Sequence, residues 1–282
     1  MKHEHKHYIR QRLDQYVREQ AGSQKKASNM LKGISNATIS NMLAEKWDSI
    51  SDEMWRAVDA QIATDNGNGW NVVETRSYKL FQQFMKDTQQ HGLVMGVIGD
   101  AGCGKTLGIS EYSLRSKNCY VLRCKDYWDK RFFLSELIRA MGKQAAYSNI
   151  SEMMEEIVME LKRKDSPIII LDEADKLNDG VLYFFISLYN DLEDDCGILL
   201  VATDHLEKRV KRGVRLNKKG YKEIYSRLGR KFISLDPASR TEVESICRMN
   251  GLEDSAEIKE IVAEAEGDLR RVKRKVHALK AA

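Results

Sequence analysis

The segment from residue 99 to residue 106 constrains this chain more than any other feature. It reads GDAGCGKT, fits the pattern GxxxxGK[S/T], follows the apolar run LVMGVI and precedes the helical pattern LGISEYSL. A glycine-rich loop at this place turns backbone N–H groups toward phosphate oxygens at a helix N-terminus, while the lysine reaches the β and γ phosphates and the hydroxyl ligates Mg²⁺. The sequence therefore predicts an ATP and Mg²⁺ site formed by Gly99, Asp100, Ala101, Gly102, Cys103, Gly104, Lys105, Thr106 and Leu107.

Two adjacent carboxylates supply the second half of the predicted site. Asp172 and Glu173 follow an apolar run at 168–171 that predicts a buried strand. Ligands of open parallel sheets bind beyond the carboxyl ends of the strands, so both side chains are expected beside the phosphate loop. We expect Asp172 to hold Mg²⁺ through water, and Glu173 to activate or orient the attacking water. The alternative is a strand that merely ends in acidic residues.

Apolar runs alternate with amphipathic segments over residues 71–235. The runs at 93–98, 119–122, 168–171, 197–202 and 231–235 predict strands. This alternation favours an α/β fold with a parallel sheet. After Pro237 only helical patterns follow, at 241–249, 256–264 and 268–279, and they predict a helical lid over 236–282. Residues 1–66 are expected to form an all-helical domain, and 67–70, which overlaps the turn-rich DNGNG at 65–69, a linker.

These motifs, in this order, resemble those of AAA+ ATPases. The resemblance implies that Thr203, at the end of GILLVAT, is the sensor-1 residue that bonds the γ-phosphate or the water, with Asp204 as its neighbouring candidate. It also implies that an arginine of YSRLGR reaches the nucleotide of the next subunit, Arg227 being the first choice and Arg230 the second. The alternatives are a threonine that closes a strand and an ordinary basic surface residue.

Two further arginines acquire roles from the same resemblance. The tetrapeptide GDLR at 267–270 matches the sensor-2 pattern GDxR, which places Arg270 at the γ-phosphate, with Arg271 as the alternative. Arg76 ends the tetrapeptide VETR, which resembles the family segment near the adenine. A site completed by a neighbour's arginine is incomplete in a monomer, so ATP is expected to promote self-association.

Residues 21–43 predict a helix–turn–helix. An apolar stripe of Ala27, Met30 and Leu31 precedes a turn at Gly33, and Ser35 can cap the second helix. The inward positions of that helix are predicted to be Ala37, Ile39 and Leu43, and the outward ones Asn36, Thr38, Ser40 and Asn41. The flanking lysines that could meet phosphates are Lys25, Lys26, Lys32 and Lys46. Because residues 1–69 carry a net charge of only +1, a protein-docking module is the alternative.

The net charge of +4 is very unevenly distributed. Residues 208–231 hold eleven Lys or Arg and one acid, Glu223, for a net charge of +10; residues 267–282 carry +5, and the rest carries −11. A basic stretch within an acidic body favours a polyanionic partner, although a charged run can also be a solvated helix face. The DNA-contact candidates in this stretch are Lys208, Arg209, Lys211, Arg212 and Arg215.

A helix–turn–helix segment joined to a short AAA+ domain resembles the family of the phage Mu transposition B protein. That resemblance implies a helical, ATP-dependent oligomer around double-stranded DNA, with little sequence preference, that presents target DNA to a transposase and stimulates it. It also implies a DNA-facing loop after the second strand, where Lys125, Lys130 and Arg131 are the backbone-contact candidates. Tyr127 and Trp128 of that loop either contact sugar or pack on a neighbouring helix.

The composition excludes some other classes. The longest apolar runs have about six residues and a membrane helix needs about 20, so no membrane-bound form is expected. Five cysteines without a CxxC pair indicate reduced thiols and hence a cytoplasmic protein. The resemblance to the phage Mu family implies that it is encoded by a bacterium, a phage or another mobile element. A replicative helicase loader of the AAA+ type and a transcriptional regulator that uses ATP as a ligand are the competing functions.

Overall fold

The computed structural model describes residues 3–31, 33–47, 50–62, 70–143 and 149–281. They divide into two compact units, residues 1–72 and 73–282. The predicted linker residues 67–69 and Lys32 lie outside the described residues. In the part of the chain that is described, we find no helix both long and apolar enough to cross a membrane.

The N-terminal unit is helical. It contains α1 (His3–Tyr16), a π-helical turn (Val17–Ala21), α2 (Gln24–Met30), α3 (Asn36–Leu43) and α4 (Asp52–Ile62). Ser35 caps α3 as the sequence predicts, because its side chain accepts a hydrogen bond from the Thr38 N–H at 3.0 Å. Ile39 is buried as expected, but Ala37 is exposed and Met42 takes the inward position. The prediction for Ala37 was wrong because the buried stripe of α3 runs through residues 39 and 42.

The second unit contains the predicted parallel sheet. Its strands are β1 (Val94–Gly99), β2 (Cys119–Arg123), β3 (Ile168–Asp172), β4 (Gly197–Ala202) and β5 (Phe232–Leu235), and their spatial order is β2-β3-β4-β1-β5. The helices between them are α5 (Arg76–Gln90), α6 (Lys105–Arg115), α7 (Lys130–Ala140), α8 (Ile150–Lys162), α9 (Asp179–Leu192), α10 (Asp204–Arg215) and α11 (Tyr221–Arg227). The α/β prediction is confirmed, with strand ends that differ by one residue at most from those read in the sequence.

Alternate residues of each strand enter two different cores. Ile168, Ile170 and Leu199 pack with Phe81 of α5 and Ile109 of α6 on one side of the sheet. Ile169, Leu171, Ile198 and Leu200 pack with residues of α7 to α11 on the other. Burial on both faces explains why these strands are continuously apolar.

All five strands run in the same direction, so their carboxyl ends lie along one edge. Asp172 pairs in register with Arg123 of β2 and with Val201 of β4, while Gly99 pairs with Leu235 of β5. The chain then ends in three helices, α12 (Arg240–Met249), α13 (Ser255–Ala265) and α14 (Leu269–Ala281). That sheet edge is where the candidate site forms.

Candidate nucleotide site and basic surface

The glycine-rich loop connects β1 to α6 in a left-handed conformation. Gly102 and Gly104 have φ angles of 85° and 94°, a region that a Cβ disfavours. Gly104 is the N-cap of α6, and no side chain in the described structure caps this helix. Its first N–H groups are therefore free to bind an anion. The Lys105 ammonium donates to the carbonyls of Gly99 and Asp100 at 2.6 and 2.9 Å, so it already lies over the loop.

Thr106 and Asp172 meet at this loop. The Thr106 hydroxyl donates to Asp172 Oδ2 at 2.9 Å, and the Glu173 N–H donates to Asp172 Oδ1 at 3.0 Å. Asp172 is only 3% exposed, and this burial raises the pKa of its carboxyl although both hydrogen bonds act in the opposite direction. Oxygen ligands of this kind suit Mg²⁺. The donor set therefore fits the predicted metal.

Glu173 is held by two cations. Arg123 Nη2 donates to its Oε1 at 2.9 Å, and the Lys176 ammonium contacts its Oε2. Burial opposes ionisation of this carboxyl, but the bonds from Lys176 and Arg123 outweigh it and lower the pKa. The backbone of Glu173 is left-handed, with φ 57° and ψ 38°.

Arg123 and Lys176 had no assigned role in the sequence analysis. Arg123 is the last residue of β2 and pairs in register with Asp172 because β2 and β3 are neighbours in the sheet. Fifty residues separate Arg123 from Glu173 in the chain. Only the strand order brings them together, so no local sequence pattern could have revealed the pair.

The turn before α14 lies directly on the phosphate loop. The Leu269 N–H donates to the Gly102 carbonyl at 3.0 Å, and a Cβ on Gly102 would lie 1.9 Å from Asp268 Oδ1. Arg270 follows in the first turn of α14 and is exposed. Arg271 instead pairs with Glu266 at 3.1 Å. Arg271 is thus paired with acids of its own chain, whereas Arg270 has no acidic partner among the described residues.

Two other predicted nucleotide contacts have partners inside the protein. The Thr203 hydroxyl donates to Asp175 Oδ2 at 2.9 Å, which connects the end of β4 to the turn after Glu173. Asp204, the neighbouring candidate, forms an ion pair with Lys208. The side chain of Arg76 is exposed, and its backbone N–H donates to Glu242 Oε1 at 2.6 Å. Glu242 belongs to α12, so this bond ties the N-terminus of α5 to the C-terminal helices.

The two candidates for an arginine that acts on a neighbour differ in their surroundings. Arg227 lies 4.6 Å from the centre of the Tyr189 ring and donates to Asn190 Oδ1 at 3.1 Å. Arg230 is exposed and has a left-handed backbone with φ 58°. Arg227 is thus tethered to α9 of its own chain, whereas Arg230 is at the surface.

Several basic side chains of α10 are already paired with acids of the same chain. Lys211 pairs with Glu207 at 2.7 Å, and Lys208 pairs with Asp204, one helical turn before it. Both acids lie just before residue 208, so a charge count that begins there misses them. Arg209 faces inward: it donates to Asp179 Oδ1 at 2.6 Å and to the Leu177 carbonyl at 2.6 Å. Arg209 thus has partners within its own chain, so a DNA contact by it stays a prediction that requires these bonds to break, while Arg212 and Arg215 are exposed.

The residues of the loop after β2 differ in how far they are buried. Trp128 is buried and packs near Phe133, whereas Tyr127 is 71% exposed. Trp128 thus packs on the neighbouring helix α7, and the Tyr127 ring, although largely exposed, makes an edge contact with Phe132 of the same helix at 6.0 Å. Lys130 and Arg131 line an open groove with Ile150, Asn178 and Val181, and Lys125 is half-buried.

Residues 85–210 match the family model of the AAA domain. Comparison with curated proteins finds no significant match. The Drosophila ORC bound to DNA has a similar structure, with a TM-score of 0.50 and 17% identity over 70% of this chain and 52% of that one. Further neighbours are a DNA replication initiation factor (TM-score 0.49, 15% identity, 76% of this chain and 63% of that one) and a RuvB mutant of Thermotoga maritima (0.42, 16%, 73% and 59%).

This chain therefore spans between about half and two thirds of the structures it resembles. At such low identity the likeness establishes the fold alone. The match of 85–210 and the parallel sheet agree on that fold, which is the AAA+ P-loop fold.

Proposed function

We propose, from the AAA+ fold of residues 73–282, that this protein is an ATPase that assembles on double-stranded DNA and delivers it to a transposase. One observation carries the ATPase part. The phosphate loop, the carboxylates that follow β3 and the turn before α14 come from distant parts of the chain and meet at one sheet edge. A chance glycine-rich turn would not bring Thr106 within hydrogen-bonding distance of Asp172.

Each residue of the site has a role in this proposal. Lys105 and the loop amides bind the β and γ phosphates, and Thr106 and Asp172 would hold Mg²⁺. When bound, Mg²⁺ neutralises charge on the phosphate oxygens. Glu173 accepts the proton of the attacking water or orients it, and Thr203 and Arg270 contact the γ-phosphate side. Arg76 lies on the adenine side.

Self-association follows from the arginine that a neighbour supplies. We keep both Arg227 and Arg230 as candidates. Arg227 must leave Tyr189 and Asn190 to reach another subunit, whereas Arg230 starts from the surface. Charge stabilisation by such an arginine contributes about 10³–10⁵ in rate in related phosphoryl-transfer enzymes. The assembly is the proposed helical oligomer.

DNA binding is proposed for exposed cations of the second unit, residues 73–282, and for the half-buried Lys125. Arg212 and Arg215 of α10, with Lys125, Lys130 and Arg131 of the loop after β2, would contact phosphates and so bind without sequence preference. Lys208 and Lys211 join them only if phosphate replaces Asp204 and Glu207 as their partner. The transposase partner rests on the resemblance to the phage Mu family.

The experiment measures affinity for random-sequence duplex DNA over a range of salt, with and without a non-hydrolysable ATP analogue. We expect ATP-dependent binding, and about five phosphate contacts give a slope of log K against log[salt] near −4 or −5. Equal affinity with and without the analogue would contradict ATP-dependent assembly. Co-precipitation of a purified helicase in place of the transposase would favour the helicase loader.

A further inference from the structure

Arg209 forms a polar cluster outside the nucleotide site. Its guanidinium donates to the Leu177 carbonyl at 2.6 Å, to Asp179 Oδ1 at 2.6 Å, and to the Tyr221 hydroxyl at 3.2 Å. The Tyr221 hydroxyl in turn donates to Asp179 Oδ1 at 2.7 Å. Three residues from α9, α10 and α11 thus share one network, which we call the Arg209 cluster: Arg209, Asp179 and Tyr221.

The Arg209 cluster lies beside the turn that carries Glu173. That turn continues through Asp175, whose carboxylate accepts from Thr203 and whose carbonyl is 3.4 Å from Arg209 Nη1. Arg209 also holds the carbonyl of Leu177. The position of the turn is therefore fixed by one arginine of α10, in addition to the contacts of Glu173 itself.

The α10–α11 corner is packed too closely to move independently of the Arg209 cluster. A Cβ on Gly213 would lie 2.3 Å from the ring of Tyr221, and one on Gly220 would lie 2.0 Å from the ring of Tyr183. Tyr221 is only 4% exposed. A displacement of the corner therefore shifts Tyr221 and Asp179 with it, because interfaces packed this closely change as units.

Two exposed lysines between α10 and α11 lie close to Asp179 of the Arg209 cluster and to the nearby Tyr183. Lys218 Nζ is 4.0 Å from Asp179 Oδ2, and Lys219 Nζ is 5.7 Å from the centre of the Tyr183 ring. A phosphate that binds these ammonium groups competes with Asp179 and Tyr183 for them. Phosphate binding therefore draws the positive charge of Lys218 away from Asp179 of the Arg209 cluster.

We infer that the Arg209 cluster couples phosphate binding at the exposed α10–α11 face to the position of the Glu173 turn. Arg209 is a positioning residue in this assignment. The inference rests on the proposed DNA binding and names the route by which DNA changes ATP hydrolysis. Coupling between sites requires a contact that differs between the two states, and the Lys218–Asp179 pair supplies it.

The test compares Tyr221→Phe with Tyr225→Phe. Both lose a hydroxyl from α11, but only Tyr221 bonds Asp179; the Tyr225 hydroxyl has no partner among the residues described. Hydrogen exchange of the amides of 173–179 is measured with a bound non-hydrolysable ATP analogue, with and without random duplex DNA. ATP hydrolysis is measured in parallel as the ratio of the rates with and without DNA.

We expect DNA to change exchange in 173–179 in the wild type and in Tyr225→Phe but not in Tyr221→Phe. The rate ratio of Tyr221→Phe should fall at least about fivefold, the lower end of typical allosteric couplings, with DNA affinity preserved. Equal responses of Tyr221→Phe and the wild type overturn the inference, as does a wild type that binds DNA without any response. A wild type that binds DNA and shows the exchange response, but hydrolyses no ATP, refutes the ATPase proposal and leaves this inference standing.

Discussion

Glu173 shows how its neighbours determine what one carboxylate can do. Arg123 and Lys176 each occupy one of its oxygens. These bonds keep the carboxylate ionised, as a general base requires, but they also compete with the water on which it must act. Arg123 is more than half exposed, so the contact can open without exposing the core.

Replacing Arg123 with alanine should therefore raise the basal rate of ATP hydrolysis. A charge-assisted hydrogen bond at a half-exposed site is worth about 1 kcal/mol, which corresponds to about a fivefold change in rate. Steady-state hydrolysis without DNA is the measurement. Arg115→Ala removes a comparable ion pair, with Glu111 of the same helix, and is the matched control. A rate below that of the control would show that Arg123 assists the reaction.

The buried charge of Asp172, a carboxylate that would hold Mg²⁺, should lower the folding stability of the metal-free protein. Its folded-state pKa is raised by burial, so the ionised form is destabilised, and folding stability is lost as the pH rises through that pKa. Asp172→Asn removes the charge, and the amide can still accept from the Glu173 N–H and donate to Thr106. We expect the Tm of the metal-free protein at pH 7 to rise by about 2–4 °C, with loss of Mg²⁺-dependent ATP hydrolysis. A lower Tm would contradict the burial argument.

A glycine-to-alanine substitution in the phosphate loop tests the contact of that loop with the start of α14. Gly102→Ala adds a Cβ that would lie 1.9 Å from Asp268 Oδ1, at a φ of 85°. Asp268 also accepts from the Arg270 N–H, so its displacement disturbs the start of α14. We expect at least about a tenfold loss of ATP affinity, since one lost hydrogen bond to a charged phosphate costs about 1.5 kcal/mol.

Gly142→Ala is the control for that experiment. Gly142 has a φ of 78°, but a Cβ there meets no atom of the described residues within 4 Å. It therefore suffers the same backbone strain, about 1 kcal/mol, without the clash. Equal ATP affinities of the two variants would show that the loop does not depend on its contact with α14.

At the scale of elements, the sequence predicts what depends on local periodicity. The strands, their parallel arrangement and the Ser35 cap follow from patterns within a few residues. The assignment of Ala37 was wrong because one helix of eight residues leaves its buried stripe ambiguous, and Met42 took the position. The bonds of Arg209 within the chain were not predictable because its partners, Leu177 and Asp179, are about 30 residues away in the sequence.

At the scale of the molecule, the phosphate loop and the Asp172–Glu173 pair were placed correctly at one sheet edge because their motifs imply the edge. The strand order was not predictable in the same way. It decides that β2 lies beside β3, and hence that Arg123 meets Glu173. Pairing between distant strands is set by packing of the whole sheet, which no single segment encodes.

Self-association should appear as a dependence of activity on concentration. If an arginine completes the neighbour's site, the rate of hydrolysis per protomer falls on dilution, because mass action separates the subunits. We expect this fall over a hundredfold dilution in wild type. Arg230→Ala and Arg227→Ala should each be compared with it, and the variant whose rate no longer depends on concentration identifies the residue. A constant wild-type rate per protomer would contradict a shared site.

The central claim is that Glu173 activates or orients the water that attacks ATP bound at the phosphate loop. The most direct measurement compares the wild type with Glu173→Gln for both ATP binding and hydrolysis in the same samples. We expect binding to be retained and hydrolysis to fall at least about 100-fold, the usual contribution of a general base. Hydrolysis by Glu173→Gln at the wild-type rate, or a wild type that binds ATP without hydrolysing it, would contradict the account.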